Sequence, residues 1–251
     1  MRAVSEGRDD DHAVAVRVAE AAGQVLVELR TREDLHGRAL RDEGDRRAHE
    51  TIVALLARTR PDDAVLSEEA RDDPVRLRRR RVWIVDPLDG TREYGERDRS
   101  DWAVHVALVV DGTPVAGAVA LPALGLTLTT GEPPGLSPRS DGPPRMVVSR
   151  TRPPAVTEPV RVALGAELVA MGSAGAKAMA VVRGHADVYA HAGGQYEWDS
   201  AAPVAVAAAA GLHVSRLDGS PLRYNNADVW LPDLLICRPE LAAAVVAAAA
   251  T

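Results

Sequence analysis

The feature that most restricts how this chain folds is an apolar run that ends in a dense acidic turn. Val82–Val85 predicts a buried strand, and the next six residues read Asp-Pro-Leu-Asp-Gly-Thr. A strand that turns at Pro87 can direct the carboxylates of Asp86 and Asp89 into one cleft, and Gly90 lets backbone amides approach a phosphate closely. The other interpretation is an ordinary Pro-Asp-Gly turn, in which the acid bonds its local backbone. The density of polar groups favours metal and phosphate chemistry.

Further acids stand at predicted strand and helix ends. Glu68 and Glu69 follow a short apolar strand over 64–66, although adjacent glutamates usually form a solvated face. Asp45 lies near the predicted start of the second helix and Asp199 precedes an Ala-rich helix, so both also suit helix N-caps. Because a carboxylate has two oxygens, one side chain can cap a helix and bind a metal.

The hydrophobic pattern predicts mixed α and β structure in two halves. In the first half we expect helices over 12–31 and up to residue 60, strands over 64–66 and 82–85, and an antiparallel meander over 102–130. In the second half we expect, in order, strand 146–149, helix 154–164, strand 168–171, helix 173–183, strand 186–191, helix 200–210, strands 213–215 and 234–237, and a final helix from residue 240. Residues 131–145 are rich in Pro and Gly, which predicts a linker between halves 1–140 and 141–251.

Composition limits the environment and the partners. A chain of 251 residues with 46% hydrophobic content can bury a large core, and its formal net charge of -6 gives no general attraction to nucleic acid or anionic membranes. Cys237 is the only cysteine, which excludes an internal disulfide and a multi-cysteine zinc site. The N-terminus lacks a signal-peptide core and no stretch reaches the roughly 18 apolar residues of a membrane span, so we expect a cytoplasmic protein.

Three segments together resemble the signature motifs of the inositol monophosphatase superfamily, and they occur in that family's order. They are Ser67-Glu68-Glu69, Trp83-Ile84-Val85-Asp86-Pro87-Leu88-Asp89-Gly90-Thr91 and Glu197-Trp198-Asp199-Ser200-Ala201-Ala202. Segments 172–177, 184–189 and 217–222 resemble the family's C-terminal half. The resemblance covers nearly the whole chain and implies an α+β, or α/β, fold: the layered αβαβα sandwich of the sugar phosphatases.

The resemblance implies a cleft that binds two or three Mg²⁺ ions through oxygen ligands, which that metal prefers. The implied ligands are Glu68, Asp86, the Leu88 carbonyl, Asp89 and Asp199. Carboxylates so close together repel one another unless cations are bound. Ions roughly 3.5–4 Å apart would activate a water and stabilise the leaving oxygen of a phosphate ester, with no covalent phosphoenzyme.

The resemblance also implies which residues act on the water and hold the phosphate. Asp45 and Thr91 form a dyad that orients or deprotonates the water, with Glu68 nearby. The amides of Gly90 and Thr91 cradle the phosphate. The identity of the base within this group stays open.

In motif detail the chain is most similar to the CysQ-type branch, which hydrolyses 3′-phosphoadenosine 5′-phosphate. Gly90-Thr91-Arg92-Glu93-Tyr94 resembles the D-G-T-[KR]-E-[FY] segment of that branch, and Val148-Ser149-Arg150 resembles its V-S-R segment. The substrate contacts implied are Arg92, Ser149, Arg150, free amides at the helix start Gly172-Ser173, and Lys177 one turn inside that helix. The other interpretations are a helix cap for Ser173 and surface charge for Lys177 and Arg150. Clearance of a by-product of sulfate activation and inhibition by Li⁺ follow as hypotheses.

The chain departs from the family's pattern in the segment before Asp45. Segment 39–45 is shorter than the family's loop and lacks its lysine, which argues against further ligands for a third Mg²⁺.

Inositol 1-phosphate and fructose 1,6-bisphosphate are alternative substrates, and a non-catalytic Mg²⁺- or phosphate-binding regulatory module is the alternative outside enzymes. Two residues separate Asp86 and Asp89, which argues against the D-x-D pattern of haloacid-dehalogenase-like phosphatases. His105 is predicted to be a core or cleft-lining residue, since no second His or Cys stands at ligand spacing. A homodimer is an open expectation.

Overall fold

The computed structural model describes residues 10–136, 138–139 and 141–250. The α-helices in these ranges are α1 Asp11–Thr31, α2 Gly37–Thr59, α3 Thr91–Gly95, α4 Thr157–Leu164, α5 Ala174–Val182, α6 Glu197–Ala209 and α7 Ala242–Ala249. The strands are β1 Ala64–Ser67, β2 Arg81–Asp89, β3 Ala103–Val110, β4 Thr113–Leu121, β5 Leu126–Thr129, β6 Arg145–Ser149, β7 Glu167–Met171, β8 Val188–Tyr196, β9 His213–Ser215 and β10 Trp230–Cys237. Short 3-10 turns cover Pro74–Arg78, Pro122–Leu124 and Pro239–Leu241. No helix within these ranges combines the length and the apolar character needed to cross a bilayer.

The strands form two five-stranded sheets. The first has the order β1-β2-β3-β4-β5, with β1 parallel to β2 and the other pairs antiparallel. The second has the order β7-β6-β8-β10-β9, in which β7, β6 and β8 run parallel and β10 runs antiparallel to both of its neighbours. The first sheet is therefore a meander extended by one parallel strand, and the second is built on parallel crossovers.

Alternation along the strands assigns the helices to layers. Trp83 and Val85 of β2 pack in a core with α1 and α2, whereas Val82 and Ile84 pack in a second core with α5 and α6. That second core also contains residues of the second sheet, and a third core joins its outer face to α4 and α7. Both faces of β2 are covered, so the strand is buried from Val82 to Asp89. The predicted αβαβα sandwich is confirmed.

Helix α2 is where the predicted element boundaries are most in error. The helix begins at Gly37, with His36 at the N-cap, so Asp45 lies well inside it and the N-cap interpretation of Asp45 is wrong. Ion pairs such as Arg38–Asp42 lie on a polar face in the first turns, which therefore lack the apolar signal of a helix. Only positions spaced by four residues are fully buried against the rest of the protein: Leu40, Gly44, Ala48, Ile52 and Leu56.

Strand β2 also runs further than the sequence predicts. It continues past Pro87 to Asp89, because Asp89 pairs with Ala103 of β3 beyond an irregularity between Asp86 and Asp89. The irregularity leaves the residues between these two acids out of the regular ladder, which alters the direction of their side chains. The short helix α3 follows at once, and neither it nor the 3-10 turns were predicted.

Candidate metal and phosphate site

Three carboxylates from two distant parts of the chain meet at one point. Asp86, Asp89 and Asp199 each offer an oxygen, and these atoms lie within 4.8 Å of one another. The end of β2 supplies the first two acids, and the first turn of α6 supplies the third. The sandwich brings them together because α6 packs between the sheets against β2, β3 and β4.

Asp86 is the most deeply placed of the three acids, with 1% of its surface exposed. The Leu88 amide donates a hydrogen bond of 3.0 Å to its Oδ1. Burial raises the pKa of Asp86 well above its usual range, and the charges of Glu68, Asp89 and Asp199 raise it further. The ionised form of Asp86 therefore lacks compensating positive charge, which a bound cation supplies.

Asp89 reaches from the first sheet to the N-terminal turn of α5. Its Oδ1 accepts from the Ala174 amide at 3.1 Å, and its Oδ2 accepts from the Gly175 amide at 2.6 Å and from the Ser173 hydroxyl. His105 Nε2 lies 3.2 Å from the same Oδ2. Asp89 thus links β2, β3 and α5.

These contacts determine the charge state of Asp89. Burial alone would raise the pKa of Asp89, but close contact with His105, the Ser173 hydroxyl and the charge of Lys177 together lower it to about 2. Asp89 is therefore ionised at any pH near neutrality. Of the three clustered acids it is the one that the protein itself stabilises as a carboxylate.

The start of α5 differs from the expectation of free amides for a second phosphate, and that expectation is wrong. Asp89 occupies the amides of Ala174 and Gly175, and the Ser173 hydroxyl accepts from the Ala176 amide at 2.9 Å, as a helix cap does. The Gly172 amide donates to Asp101 at 2.6 Å. An acid side chain of the protein fills the position that an anionic ligand would take.

Lys177 lies inside the protein rather than on its surface. Only 5% of it is exposed, and its Nζ donates to the carbonyls of Ser173 at 2.5 Å and of Gly172 at 3.2 Å. Burial lowers the pKa of Lys177, while the charges of Asp89 and Glu93 act in the opposite direction. The surface-charge interpretation of Lys177 is therefore wrong.

Asp199 belongs to the capping box of α6 and faces the other two acids. It lies in the first turn of the helix, and its Oδ2 accepts from the Tyr196 amide at 2.7 Å. Burial and the charge of Asp89 raise the pKa of Asp199 to about 7, against the lowering effect of the Tyr196 amide. The N-cap of α6 is Tyr196 and Asp199 is the third helical residue, so the N-cap interpretation of Asp199 is wrong, and its bond to the Tyr196 amide is that of the third residue in a capping box.

Glu68 lies beside the three clustered acids. As a residue it is exposed just after β1, and its carboxyl group is not among the three whose ligand atoms lie within 4.8 Å of one another. Desolvation raises the pKa of Glu68, and the charges of Asp89 and Glu69 raise it as well. In the same region His49 Nδ1 lies 3.0 Å from the Ser67 hydroxyl, which ties α2 to the end of β1.

Asp45 lies on α2, where the acids whose charges act on it most are Glu69 and Glu68. The neighbouring Gly44 lets α2 pack closely here, since a Cβ there would lie 2.7 Å from Tyr94 Cε1 and 3.2 Å from Leu88 Cδ2. Burial raises the pKa of Asp45 to about 7, with further contributions from the charges of Glu69 and Glu68. Asp45 is thus protonated about half the time near neutral pH.

Thr91 does not form the predicted dyad with Asp45 directly. Its hydroxyl donates to the Leu88 carbonyl at 3.1 Å, and within the described ranges no hydrogen bond joins it to Asp45. Gly90 precedes it with φ of +86°, and a Cβ at Gly90 would lie 3.0 Å from Ser173 Cβ. Only glycine suits this conformation and spacing, so the turn comes close to the start of α5.

The more distant predicted substrate residues are only partly available. Arg150 pairs with Glu93 at 2.6 Å and with Glu96 at 2.7 Å, so its charge is already matched. The Ser149 hydroxyl accepts from the Arg152 amide at 3.2 Å, and Arg92 is exposed on α3. Arg150 is therefore a partly exposed charge with two acidic partners.

The donor set suits Mg²⁺. The clustered ligand atoms are carboxylate oxygens, which hard divalent cations prefer, and their mutual repulsion is visible in the raised pKa values of Asp86 and Asp199. His105 is buried, as the prediction of a core or cleft-lining residue requires. The sequence contained no sign that it contacts Asp89, because a single histidine in an apolar strand gives no spacing pattern.

Known proteins match most of the chain. A sequence profile of the inositol monophosphatase family matches residues 8–250. The 3′-phosphoadenosine 5′-phosphate phosphatase of Mycobacterium leprae is 51% identical over 245 residues, which are 92% of this chain and 90% of that protein. The 3′(2′),5′-bisphosphate nucleotidase CysQ of Escherichia coli K12 is 34% identical over 197 residues, which are 73% of this chain and 79% of that protein.

Solved structures agree with these sequence matches. CysQ from Bacteroides thetaiotaomicron superposes with a TM-score of 0.76 at 29% identity, covering 91% of this chain and 97% of that one. Inositol monophosphatase II from Staphylococcus aureus superposes with a TM-score of 0.78 at 21% identity, covering 94% and 91%, and so shows the shared fold. By profile, sequence and architecture, the chain belongs to the inositol monophosphatase family.

Proposed function

We propose that this chain is a Mg²⁺-dependent phosphomonoesterase that hydrolyses the 3′-phosphate of 3′-phosphoadenosine 5′-phosphate, giving AMP and phosphate. The observation that carries the proposal is the 51% identity, over 92% of the chain, to a protein named for that reaction. The three clustered carboxylates support the phosphatase chemistry, since metal-assisted phosphate ester hydrolysis needs such a ligand set.

Asp86, Asp89 and Asp199 are the proposed metal ligands, with Glu68 and the Leu88 carbonyl beside them. The Leu88 carbonyl accepts one hydrogen bond from Thr91 and retains a second lone pair for a cation. When bound, Mg²⁺ supplies positive charge that stabilises the charge developing on the phosphoryl group and assists attack by water. The protein's own part is to hold these oxygens in place before the substrate arrives.

Asp45 is the best-suited general base among the nearby acids. A base works best when its pKa lies near the working pH, and burial with neighbouring charges raises the pKa of Asp45 to about 7. Glu68 also has a raised pKa and lies nearer to Asp86. We assign proton removal to Asp45 and a ligand role to Glu68, with Thr91 fixing the Leu88 carbonyl rather than receiving the proton.

The nonreacting phosphate is the second part of the proposal. Arg150 would bind it only by exchanging Glu93 and Glu96 for phosphate oxygens, which are comparable acceptors for a guanidinium group. Lys177 contributes its charge from inside the protein, where its ammonium group donates to the carbonyls of Gly172 and Ser173. Ser149, Arg92 and the amides of Gly90 and Thr91 keep their predicted substrate contacts as part of this proposal.

Phosphate release from a substrate panel tests the proposal. The purified chain is assayed with 3′-phosphoadenosine 5′-phosphate, inositol 1-phosphate and fructose 1,6-bisphosphate, each with and without Mg²⁺. We expect the highest kcat/KM for the nucleotide and no turnover without the metal. Asp89→Asn and Asp45→Asn should abolish or severely reduce turnover, whereas the control Asp218→Asn, in an exposed loop, should not.

The outcomes separate the candidate functions. A preference for inositol 1-phosphate or the sugar bisphosphate would refute the nucleotide assignment while keeping the phosphatase. Mg²⁺ binding without turnover on any of the three would favour a regulatory module. The number of ions, inhibition by Li⁺, a role after sulfate activation, a homodimer and a cytoplasmic location stay predictions.

A further inference from the structure

His105 is a fully buried polar side chain inside the apolar strand β3. Its exposed fraction is 0%, and it stands opposite Asp86 in the ladder between β2 and β3. Its neighbours on the same face of the strand, Ala103 and Ala107, are small and apolar. An imidazole in such a place is destabilising unless both of its nitrogens have partners.

Each ring nitrogen of His105 contacts a different part of the site. Nδ1 lies 3.0 Å from the Trp198 carbonyl and 4.0 Å from Asp86 Oδ2, and Nε2 lies 3.2 Å from Asp89 Oδ2. A carbonyl only accepts, so Nδ1 is the donor to Trp198, and this bond fixes the plane of the ring. With the plane fixed, Nε2 faces the Asp89 carboxylate. Because a carboxylate only accepts, this contact attracts Asp89 when Nε2 also carries a proton, as an ion pair rather than as an aligned hydrogen bond within the described residues.

Gly175 leaves the space that the ring occupies. A Cβ on Gly175 would lie 2.0 Å from His105 Nε2, a distance at which one of the two groups must move. Gly175 lies within α5 and has no positive φ, so the conformation of the backbone does not require glycine there. Glycine at this position therefore leaves room for the imidazole ring. The Gly175 amide also donates to the same Asp89 oxygen at 2.6 Å.

We propose that His105 is a positioning residue for the metal site. Its Nε2 side holds the Asp89 carboxylate against the first turn of α5. Its Nδ1 side holds the Trp198 backbone, which keeps the adjacent Asp199 in place relative to Asp89. The inference rests on the proposed function only in that Asp89 is taken as a metal ligand. Groups that orient ligands act through metal affinity, and losing one typically weakens it by about 10–100-fold.

Mg²⁺ binding to the purified full chain, measured by titration calorimetry without substrate, tests the proposal. His105→Ala should weaken Mg²⁺ affinity by about 10–100-fold. His105→Gln places an amide near the position of Nε2 and should recover part of the loss. His213→Ala is the matched control, since this half-buried strand histidine contacts Ser215 and lies outside the site.

A second variant keeps the proposal testable if His105→Ala does not fold. Gly175→Ala leaves the histidine in the chain but displaces its ring, so it should also weaken Mg²⁺ affinity. In the His105→Ala background the same change should add little, because the ring that it displaces is gone. A purely structural role would lower thermal stability in EDTA without changing the Mg²⁺ dissociation constant of the folded fraction.

The results distinguish this inference from the proposed function. Folded His105→Ala and Gly175→Ala proteins that bind Mg²⁺ as tightly as the wild type would overturn the inference and leave the phosphatase proposal standing. A wild-type chain that binds no Mg²⁺ and hydrolyses no phosphate ester would overturn both. Weakened Mg²⁺ affinity, partial recovery by glutamine and an unchanged KM for the nucleotide at saturating Mg²⁺ would support the positioning role.

Discussion

Mg²⁺ binding to this chain should compete with protons, and the extent of the competition follows from Asp199. The pKa of Asp199 is raised to about 7 by burial and by the charge of Asp89, so the metal-free protein holds a proton that a cation must displace. With that pKa, Asp199 is about 90% protonated at pH 6 and about 10% at pH 8. Binding should therefore release about 0.9 proton from this group at pH 6 and about 0.1 at pH 8.

The same numbers determine the change in affinity. The protonated fraction does not bind the cation, so the apparent Mg²⁺ affinity should be about tenfold weaker at pH 6 than at pH 8 through Asp199 alone. Asp86, whose pKa lies well above its usual range, acts in the same direction. Asp89 contributes nothing in this window, because its pKa of about 2 keeps it ionised throughout.

The metal-free fold should show the opposite trend with pH. The folded-state pKa of Asp199 lies above the unfolded value, so its contribution to stability is complete below about pH 4 and is lost as pH rises through about 7. Three pKa units correspond to an upper limit of about 4 kcal/mol. Added Mg²⁺ should reverse the trend, because it stabilises the ionised acids.

Calorimetry at pH 6 and pH 8, in two buffers with different ionisation enthalpies, measures both the affinity and the protons released. In Asp199→Asn the ratio between the two affinities should fall by about tenfold, although the variant binds more weakly at both pH values. Equal dissociation constants at pH 6 and pH 8, with no proton release in the wild type, would refute the reasoning.

Two further predictions concern stability. Gly44→Ala should lower the free energy of unfolding by about 1–3 kcal/mol despite the better helix propensity of alanine, because its Cβ would lie 2.7 Å from Tyr94. Urea denaturation in EDTA measures this, with Gly135→Ala as the control because Gly135 has open space around it. Equal stabilities of the two variants would contradict the packing argument. Asp187→Ala should destabilise the fold by about 3–5 kcal/mol, since the buried Asp187 carboxylate accepts from Arg238 at 3.0 Å and from the Arg145 amide at 2.8 Å. Its thermal midpoint should fall while kcat of the folded fraction stays unchanged, and a loss of kcat at full folding would assign Asp187 a catalytic role.

Local pattern in the sequence predicts most elements of the fold. Apolar periodicity locates α1, and strand alternation with turn residues locates the meander from β3 to β5. It fails where a helix is mostly polar, as at the start of α2, where only Leu40 and Gly44 are buried. It also fails at β2, whose extension past Pro87 depends on pairing with another strand.

The candidate site is less accessible to sequence reasoning, because its contacts join residues far apart along the chain. The motif resemblance identifies Asp86, Asp89 and Asp199 as a group, but no local pattern brings them together. Two contacts form only in the tertiary structure: Asp89 binds the amides at the start of α5, and Arg150 pairs with Glu93. Both change what a substrate must displace.

Because Asp89 bridges β2 and α5, the exchange rates of two backbone amides should report on metal binding at Asp89. The N–H groups of Ala174 and Gly175, which have no carbonyl partner in the first turn of α5, donate to the Asp89 carboxylate on β2. The rate of their hydrogen–deuterium exchange is therefore limited by how often these two hydrogen bonds to the carboxylate break. A cation that restrains Asp89 should slow exchange at these two positions before it changes the rest of α5, so the filling of the site can be followed from the protein's own backbone.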